Sequence, residues 1–519
     1  MVDQEHQFSR YHYLVLAAIL LLPLVVAKLR ARRKACKNLP PGPWQLPVIG
    51  SLHHLVGALP HRAMRDLARR HGALMLLRLG ELPVVVASSP AAAREVMRTH
   101  DAAFATRPRT ATIHELTRDG TGVAFAPHGE RWRAVRKLCV TELLGARRVR
   151  ALRPGREAEA ASLVASVASK ACEPVNVSAL LATYVTDVTV RAVVGDRIRD
   201  RDAFLERLEE GVKVAAGFSL ADLFSSSSWL ARVFSGAARR AEKHGRAMAL
   251  LMDGVIEEHK ERRAAAAGAG SGDEEEDLLD VLLRIQKDGG GGLQVPLDMG
   301  TLRAVITDLF GAGSETTATT LQWAMAELIR HPAALRKSQE EVRRVLAGQS
   351  RVHEDALPEL RYLHMVIKET LRLHAAVPLL LPRECQEDPS CRVLGHDVPK
   401  GAMVLVNAWA IGCDAASWGP DAEEFRPERF EGDVVDFRGS DFEFVPFGAG
   451  RRMCPGITLG LAVMEMGLAS LLFHFDWELP AGATDPSELD MEEALGITAR
   501  RKSDLWLIPR VRVPPPPNV

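Results

Sequence analysis

Ten residues near the C-terminal end, Phe447-Gly448-Ala449-Gly450-Arg451-Arg452-Met453-Cys454-Pro455-Gly456, limit what this chain can become more than any other stretch. A glycine-rich loop leads into a single cysteine, and an apolar helical pattern follows, roughly Ile457 to Phe473. That order places Cys454 at a helix N-terminus, where free backbone N–H groups and the positive end of the dipole favour thiolate over thiol. Gly450 permits a turn with φ above zero, and Gly456 lets the helix come close to a flat ligand. Phe447 can shield the sulfur, and Arg452 offers a bidentate donor for a carboxylate. A lone cysteine is ordinarily a buried structural residue. Here the surrounding Phe, Gly and Arg point to a ligand instead.

Upstream, Thr301 to Arg330 reads as one long helix, roughly 45 Å at 1.5 Å per residue. It contains Ala312-Gly313-Ser314-Glu315-Thr316-Thr317. Ala312 and Gly313 remove side-chain bulk, and Thr316, four residues after Ala312, shares its face. A run of Ser and Thr inside a helix lowers its propensity, which argues for a compensating role. The Thr316 hydroxyl can hold a water, and Glu315 can relay protons. Two further pairs lie at helical spacing: Glu369 with Arg372, and Trp132 with Arg136.

Phe-x-x-Gly-x-Arg-x-Cys-x-Gly resembles the haem-binding loop of the cytochromes P450 at every position, and the Ala312–Thr317 segment resembles their oxygen-activation motif. Glu369 and Arg372, with the later Arg426-Pro427-Glu428-Arg429-Phe430, match the family's structural network. Trp132 and Arg136 match its W-x-x-x-R helix. The likeness runs in order along nearly the whole chain and is nearest the plant microsomal group that tailors specialised metabolites. It implies a mainly α fold with a small β region and haem b, its iron held by Cys454. It also implies propionates bound by Trp132, Arg136, Arg383 and Arg452, and an NADPH-dependent diflavin reductase as electron donor. One departure stands out. Where that group often has His-Pro-Pro-x-Pro, this chain reads His374-Ala375-Ala376-Val377-Pro378, which leaves the shape of the pocket open.

The N-terminal part has its own logic. Tyr13 to Ala27 is an unbroken apolar run, preceded by Asp3 and Glu5 and followed by Lys28, Arg30, Arg32, Arg33, Lys34 and Lys37. A secretory signal wants its positive charge first. The reverse order predicts an uncleaved anchor in membrane lipid, with everything after Lys28 cytosolic, and the resemblance makes that membrane the endoplasmic reticulum. The expected organisation is an anchor over 1–38, a proline-rich hinge over 39–50 and a catalytic domain over 51–519. In that topology the sequon Asn176-Val177-Ser178 stays unmodified. Low-complexity stretches at Ala264–Asp277 and Gly289–Gly292 read as surface connections, and Pro514–Pro517 as a frayed tail. Met75–Leu79, Val84–Ala87 and Met403–Asn407 are the strand candidates.

Lys plus Arg equals Asp plus Glu, 66 against 66, so nothing global favours nucleic acid as a partner. Seven scattered cysteines fit a reducing compartment rather than a disulfide framework. The resemblance places parts of Thr110–Val123, Gly211–Phe224, Val305–Gly313, Ala375–Leu381 and Leu495–Thr498 around the pocket. Aliphatic contributions from Ile306, Leu309, Val377, Leu379, Leu380 and Ile497 suit a small hydrophobic substrate such as a terpenoid. Phenolic and nitrogenous substrates stay open. So does a reductase-independent haem-thiolate isomerase or lyase, although such relatives typically lack an acid–Thr pair like Glu315-Thr316. A non-catalytic haem sensor is the third class.

Overall fold

Long apolar helices frame the computed structural model, which describes residues 38–516 apart from 118–121, 197, 199–200, 216–218, 225–235, 269–275, 290–295, 433–434, 481–484 and 495. The membrane-anchor expectation therefore lies outside the described residues. Six helices position the site: α1 (Glu130–Leu138), α2 (Val177–Val194), α3 (Ala237–Gly268), α4 (Met299–Arg330), α5 (Arg361–Leu373) and α6 (Ile457–His474). Asp298 starts α4 by accepting the Thr301 N–H at 2.7 Å, and Asn176 starts α2 by accepting the Ala179 N–H at 2.9 Å. Each cap satisfies a backbone donor that the first turn leaves free. The Asn176 amide nitrogen also donates to Asp504 at 2.7 Å, so both halves of the sequon side chain are occupied.

α2 and α6 are long and apolar enough to cross a membrane, yet most of each is buried inside the protein. They pack against α4 and carry one large core with α5. Apolar side chains on every face mark a buried helix. Two hydroxyls in the second half of α4 bond back to the helix: Thr316 donates to Ala312 O at 2.7 Å and Thr320 to Thr316 O at 3.0 Å, whereas the buried Ser314 Oγ has no such partner.

The strand candidates Met75–Leu79 and Val84–Ala87 lie within β1 (Leu74–Leu79) and β2 (Leu82–Ala87), and the candidate Met403–Asn407 forms a strand that ends one residue earlier, at Met403–Val406. The first two form an antiparallel hairpin from Leu74↔Ala87 to Leu79↔Leu82. β2 then runs parallel to Met403–Val406, which pairs on its other side with Arg383–Glu384. Asn407 leaves the sheet and caps the next short helix through the Ala410 N–H. The proline-rich segment lies along this sheet, with Leu76 N–H donating to Pro41 O at 2.8 Å.

One connection differs from expectation. The alanine-rich stretch from Ala264 continues α3 to Gly268, because alanine is the best helix former. Asp277 is a cap rather than loop: its carboxylate accepts the Asp280 N–H at 2.9 Å and opens the helix Leu278–Lys287.

Candidate active site

Cys454 lies two residues before Gly456, the cap of α6. Its N–H donates to Phe447 O at 3.0 Å, closing the loop on itself. Gly450 is required where it stands: φ is +68° and a Cβ there would meet Met97 O at 2.1 Å. The Phe447 ring packs edge-on against Phe437 beside the loop. Cys454 opens onto a cavity of about 790 Å³ while lying deep within the protein. Burial pushes its thiol up, and the Gly456 N–H and the Arg136 charge pull in the opposite direction. Burial thus opposes the thiolate that the helix terminus favours, and a cation bound at the sulfur would favour it again.

Five arginines line the same cavity, and four of them, Arg107, Arg136, Arg383 and Arg452, lie close enough to repel one another. Arg452 donates to the carbonyls of Ala105 (2.6 Å), Val123 (3.1 Å) and Ala126 (2.5 Å). Arg383 reaches Ala449 O at 2.9 Å and Asp101 at 3.4 Å, and Arg136 reaches Met453 O at 2.5 Å. Arg107 donates to Ala124, Leu381 and Pro382 carbonyls. Among the described residues, Asp101 is the only carboxylate hydrogen-bonded to any of the four. Burial, then the charges of its neighbours, holds Arg452 down to about 9, and Arg107 also falls well below its ordinary value. Cations crowded with so little counter-charge fit a ligand carrying carboxylates.

The opposite wall is a face of α4. Gly311, Ala312, Gly313, Glu315, Thr316 and Thr317 all border the cavity. Nothing lies within 4 Å of where a Gly311 Cβ would project. Glu315 accepts from the Thr498 hydroxyl at 2.5 Å, so the acid of the acid–Thr pair is held by the C-terminal loop. A cysteine ligand, a cationic rim and an open helix face therefore surround one space.

A family model described as Cytochrome P450 matches residues 40–506. The chain belongs to the cytochrome P450 family. It is 47% identical to "Desmethyl-deoxy-podophyllotoxin synthase" of Sinopodophyllum hexandrum, covering 95% of this chain and 96% of that one. It is 45% identical to "Dolabradiene monooxygenase" of Zea mays, covering 97% and 98%. A zebra fish cytochrome P450 structure with progesterone superposes with a TM-score of 0.72 at 26% identity, covering 87% of this chain and 99% of that one. This P450 is a monooxygenase, and its family implies a haem held through thiolate.

Most residues singled out in the sequence meet at this P450's cavity: Cys454, Arg452, Arg136, Arg383, Phe447, Gly456, Ala312, Gly313, Glu315 and Thr316 all border it. Trp132 stands behind it. Its indole N–H donates to Val123 O at 3.1 Å, and the Arg452 guanidinium lies 4.0 Å over its ring, so it reaches the cavity through Arg452. Leu309, Val377, Leu380 and Ile497 line the space as expected. Ile306 instead is fully buried in the core cluster with Leu302 and Phe310, against which the cavity-lining Leu309 also packs. Leu379 packs with the β-sheet cluster. Leu495 lies outside the described residues. The Glu369 network forms as expected and is fully buried, with Arg372 donating twice at 2.7 Å and Arg429 once at 3.2 Å.

Two cavity residues escaped the sequence reading. Arg107 follows Ala-Thr and precedes Pro108, with no spacing that separates it from any other arginine. Asp308 had a legible signal, a lone acid in the apolar half of a helix. It accepts the N–H groups of Val123 (2.6 Å) and Ala124 (3.1 Å), pinning that loop, and burial pushes its carboxyl up to about 6.

Proposed function

We propose that this P450 hydroxylates or further oxidises a small hydrophobic specialised metabolite, a terpenoid, with electrons from NADPH delivered by a membrane-bound diflavin reductase. Residues 1–38 anchor it in the endoplasmic reticulum, with the catalytic domain in the cytosol. The observation that carries the substrate class is the aliphatic share of the cavity wall: Leu116, Val123, Leu309, Val377, Leu380 and Ile497 offer a hydrocarbon its contacts, beside scattered hydroxyls such as Thr117 and Thr307 and the one carboxyl of Asp308. The name of the maize relative, a diene monooxygenase, agrees.

Within this reading Cys454 holds the haem iron, and Arg107, Arg136, Arg383 and Arg452 hold the propionates. Bound in that way, haem b supplies dioxygen activation driven by the electron-donating thiolate. Proton delivery belongs to the chain's own residues. Glu315, fixed by Thr498, is the carboxyl that takes up and releases the proton, and the Thr316 oxygen, its own O–H engaged by Ala312 O, accepts a hydrogen bond from the cavity water that carries it. Arg133 and Lys137 are exposed on α1, which also supplies Arg136 to the Cys454 loop, and they face the reductase.

A second reading, the same chemistry on a phenolic or nitrogenous metabolite, is favoured by Asp308, which places one carboxyl in the apolar wall, and by the podophyllotoxin relative. Microsomes co-expressing the full chain and a diflavin reductase decide between the two. Sesquiterpene and diterpene hydrocarbons are supplied with NADPH, and mass spectrometry seeks products heavier by one oxygen atom. Products from the hydrocarbons support the terpenoid reading. Turnover of phenolic or amine panels alone overturns it.

A further inference from the structure

The segment that lacks two prolines is nevertheless held firmly, by a different device. His374 lies flat on the indole of Trp323 in α4, with ring centroids 4.2 Å apart and planes at 7°. Its Nε2 is 2.7 Å from Glu327 Oε1, and Glu327 lies one turn beyond Trp323 on the same helix. Glu327 is buried; His331 Nδ1 is 2.8 Å from its backbone carbonyl and stands at ion-pair distance, 3.3 Å, from Oε2. Trp323 is fully buried, and its indole N–H donates to Ala499 O at 2.8 Å. Ala499 N–H in turn donates to Ala376 O at 2.9 Å. The path closes: Trp323 holds Ala499, Ala499 holds Ala376, and His374, two residues earlier, rests back on Trp323.

Both strands of that path end in the cavity. Val377 and Leu380 follow His374 and Ala376, while Ile497 and Thr498 precede Ala499, and all four line the space above Cys454. Thr498 also holds Glu315. A proline pair stiffens a segment through its own backbone. Here the stiffness comes from outside, through a ring stack and a histidine–carboxylate bond to a helix that itself borders the cavity.

We infer that His374, Trp323 and Glu327 are positioning residues that set the spacing between the Val377–Leu380 and Ile497–Thr498 walls, and with it the size of ligand the cavity accepts. They touch no substrate. A pre-organised wall favours ligands that fill it and is indifferent to those too small to reach it. The inference rests on this cavity being the haem and substrate chamber, so its test includes a readout of the haem alone.

The full chain, haem-loaded in membranes, is titrated by difference spectroscopy with two azoles. Imidazole reaches only the iron; clotrimazole, an imidazole carrying three aromatic rings, also fills the space between the walls. In His374→Ala, which removes stack and hydrogen bond together, clotrimazole weakens by about tenfold, the loss of one charge-assisted hydrogen bond, while imidazole stays within about twofold. His374→Phe keeps the stack and recovers part of that loss. Trp323→Phe keeps a ring under His374 but removes the donor to Ala499, and it weakens clotrimazole through the Ile497 wall. It also carries the test should His374→Ala accumulate poorly. Clotrimazole affinity unchanged in both His374→Ala and Trp323→Phe overturns the inference. Equal weakening of both azoles overturns it too, since that marks general damage at the haem. Failure of the wild-type chain to bind imidazole strikes instead at the chamber assignment on which the inference rests.

Discussion

Replacing Glu369 with glutamine changes one atom in the most buried ionic site of this protein, and the consequence can be worked from the contacts. Glu369 Oε1 accepts from Arg372 Nη2 (2.7 Å), the Arg426 N–H (2.8 Å) and Arg429 Nε (3.2 Å), while Oε2 accepts from Arg372 Nε (2.7 Å). Arg372 has further donors on the Gly412, Ala422 and Glu424 carbonyls, so its guanidinium cannot swing away without abandoning them. In Glu369→Gln the amide oxygen keeps the crowded Oε1 position. The new NH2 group then confronts the Arg372 Nε–H, donor against donor, and the buried Arg372 guanidinium loses its counter-charge, whereas Arg429 keeps Asp421 at 3.0 Å. Breaking a buried pair from one side costs about 3–5 kcal/mol. At about 1.4 kcal/mol per decade, that moves the folded-to-unfolded ratio by about two to three and a half decades in a fold whose stability is typically about 5–15 kcal/mol. The expected outcome is protein made at wild-type levels by immunoblot but depleted in haem-loaded enzyme, with the carbon monoxide difference band of thiolate-ligated haem largely lost. A variant with wild-type band height per molecule and an unshifted thermal midpoint refutes the reasoning.

Asp308 gives a pH-dependent counterpart. Its carboxyl rises from 3.8 to about 6 on folding, through burial opposed by the Ala124 and Val123 N–H groups. An acid that holds its proton more tightly when folded makes stability fall as pH rises from about 4 to about 6. The thermal midpoint of Asp308→Asn, which can still accept from Val123 and Ala124, therefore gains on wild type across that window; parallel curves contradict this. Gly450→Ala puts a methyl group 2.1 Å from Met97 O at a φ of +68°, so the Cys454 loop must shift and haem incorporation falls; normal incorporation, read from the carbon monoxide band, tells against the loop geometry. Reversing charge at exposed Arg133 and Lys137 together slows reduction by the reductase, with a deficit that shrinks as salt rises. Stopped-flow reduction rates that match wild type at low salt remove that docking face.

What could be read in the sequence was whatever depends on local spacing. The Cys454 loop, the Ala312–Thr317 face, Glu369 with Arg372, and the strands of β1 and β2 are all fixed by residues within a turn or two of one another. Ala264–Gly268 was misread as a connection because its composition looked like low complexity, although alanine's helix propensity favoured continuation of α3. The contacts that shape the cavity lay out of reach for another reason. Arg107 on Leu381, Asp308 on Val123, Thr498 on Glu315 and Trp323 on Ala499 each join residues far apart in the chain. Such pairings are products of packing and leave no period or spacing behind. The missing prolines after His374 signalled that the wall is built differently here; how it is held became visible only with Trp323 and Glu327 beside it.

The central claim, that this P450 inserts one atom of dioxygen into its substrate, is tested most directly by isotope. Microsomes holding the full chain and a diflavin reductase are supplied with NADPH under isotopically heavy dioxygen, and the products from the hydrocarbon panel are weighed. The account predicts one heavy oxygen in each singly hydroxylated product, and no product when NADPH is withheld. Products that carry no heavy oxygen, or turnover of hydroperoxides that proceeds without NADPH, would contradict it and move the protein to the isomerase or lyase class.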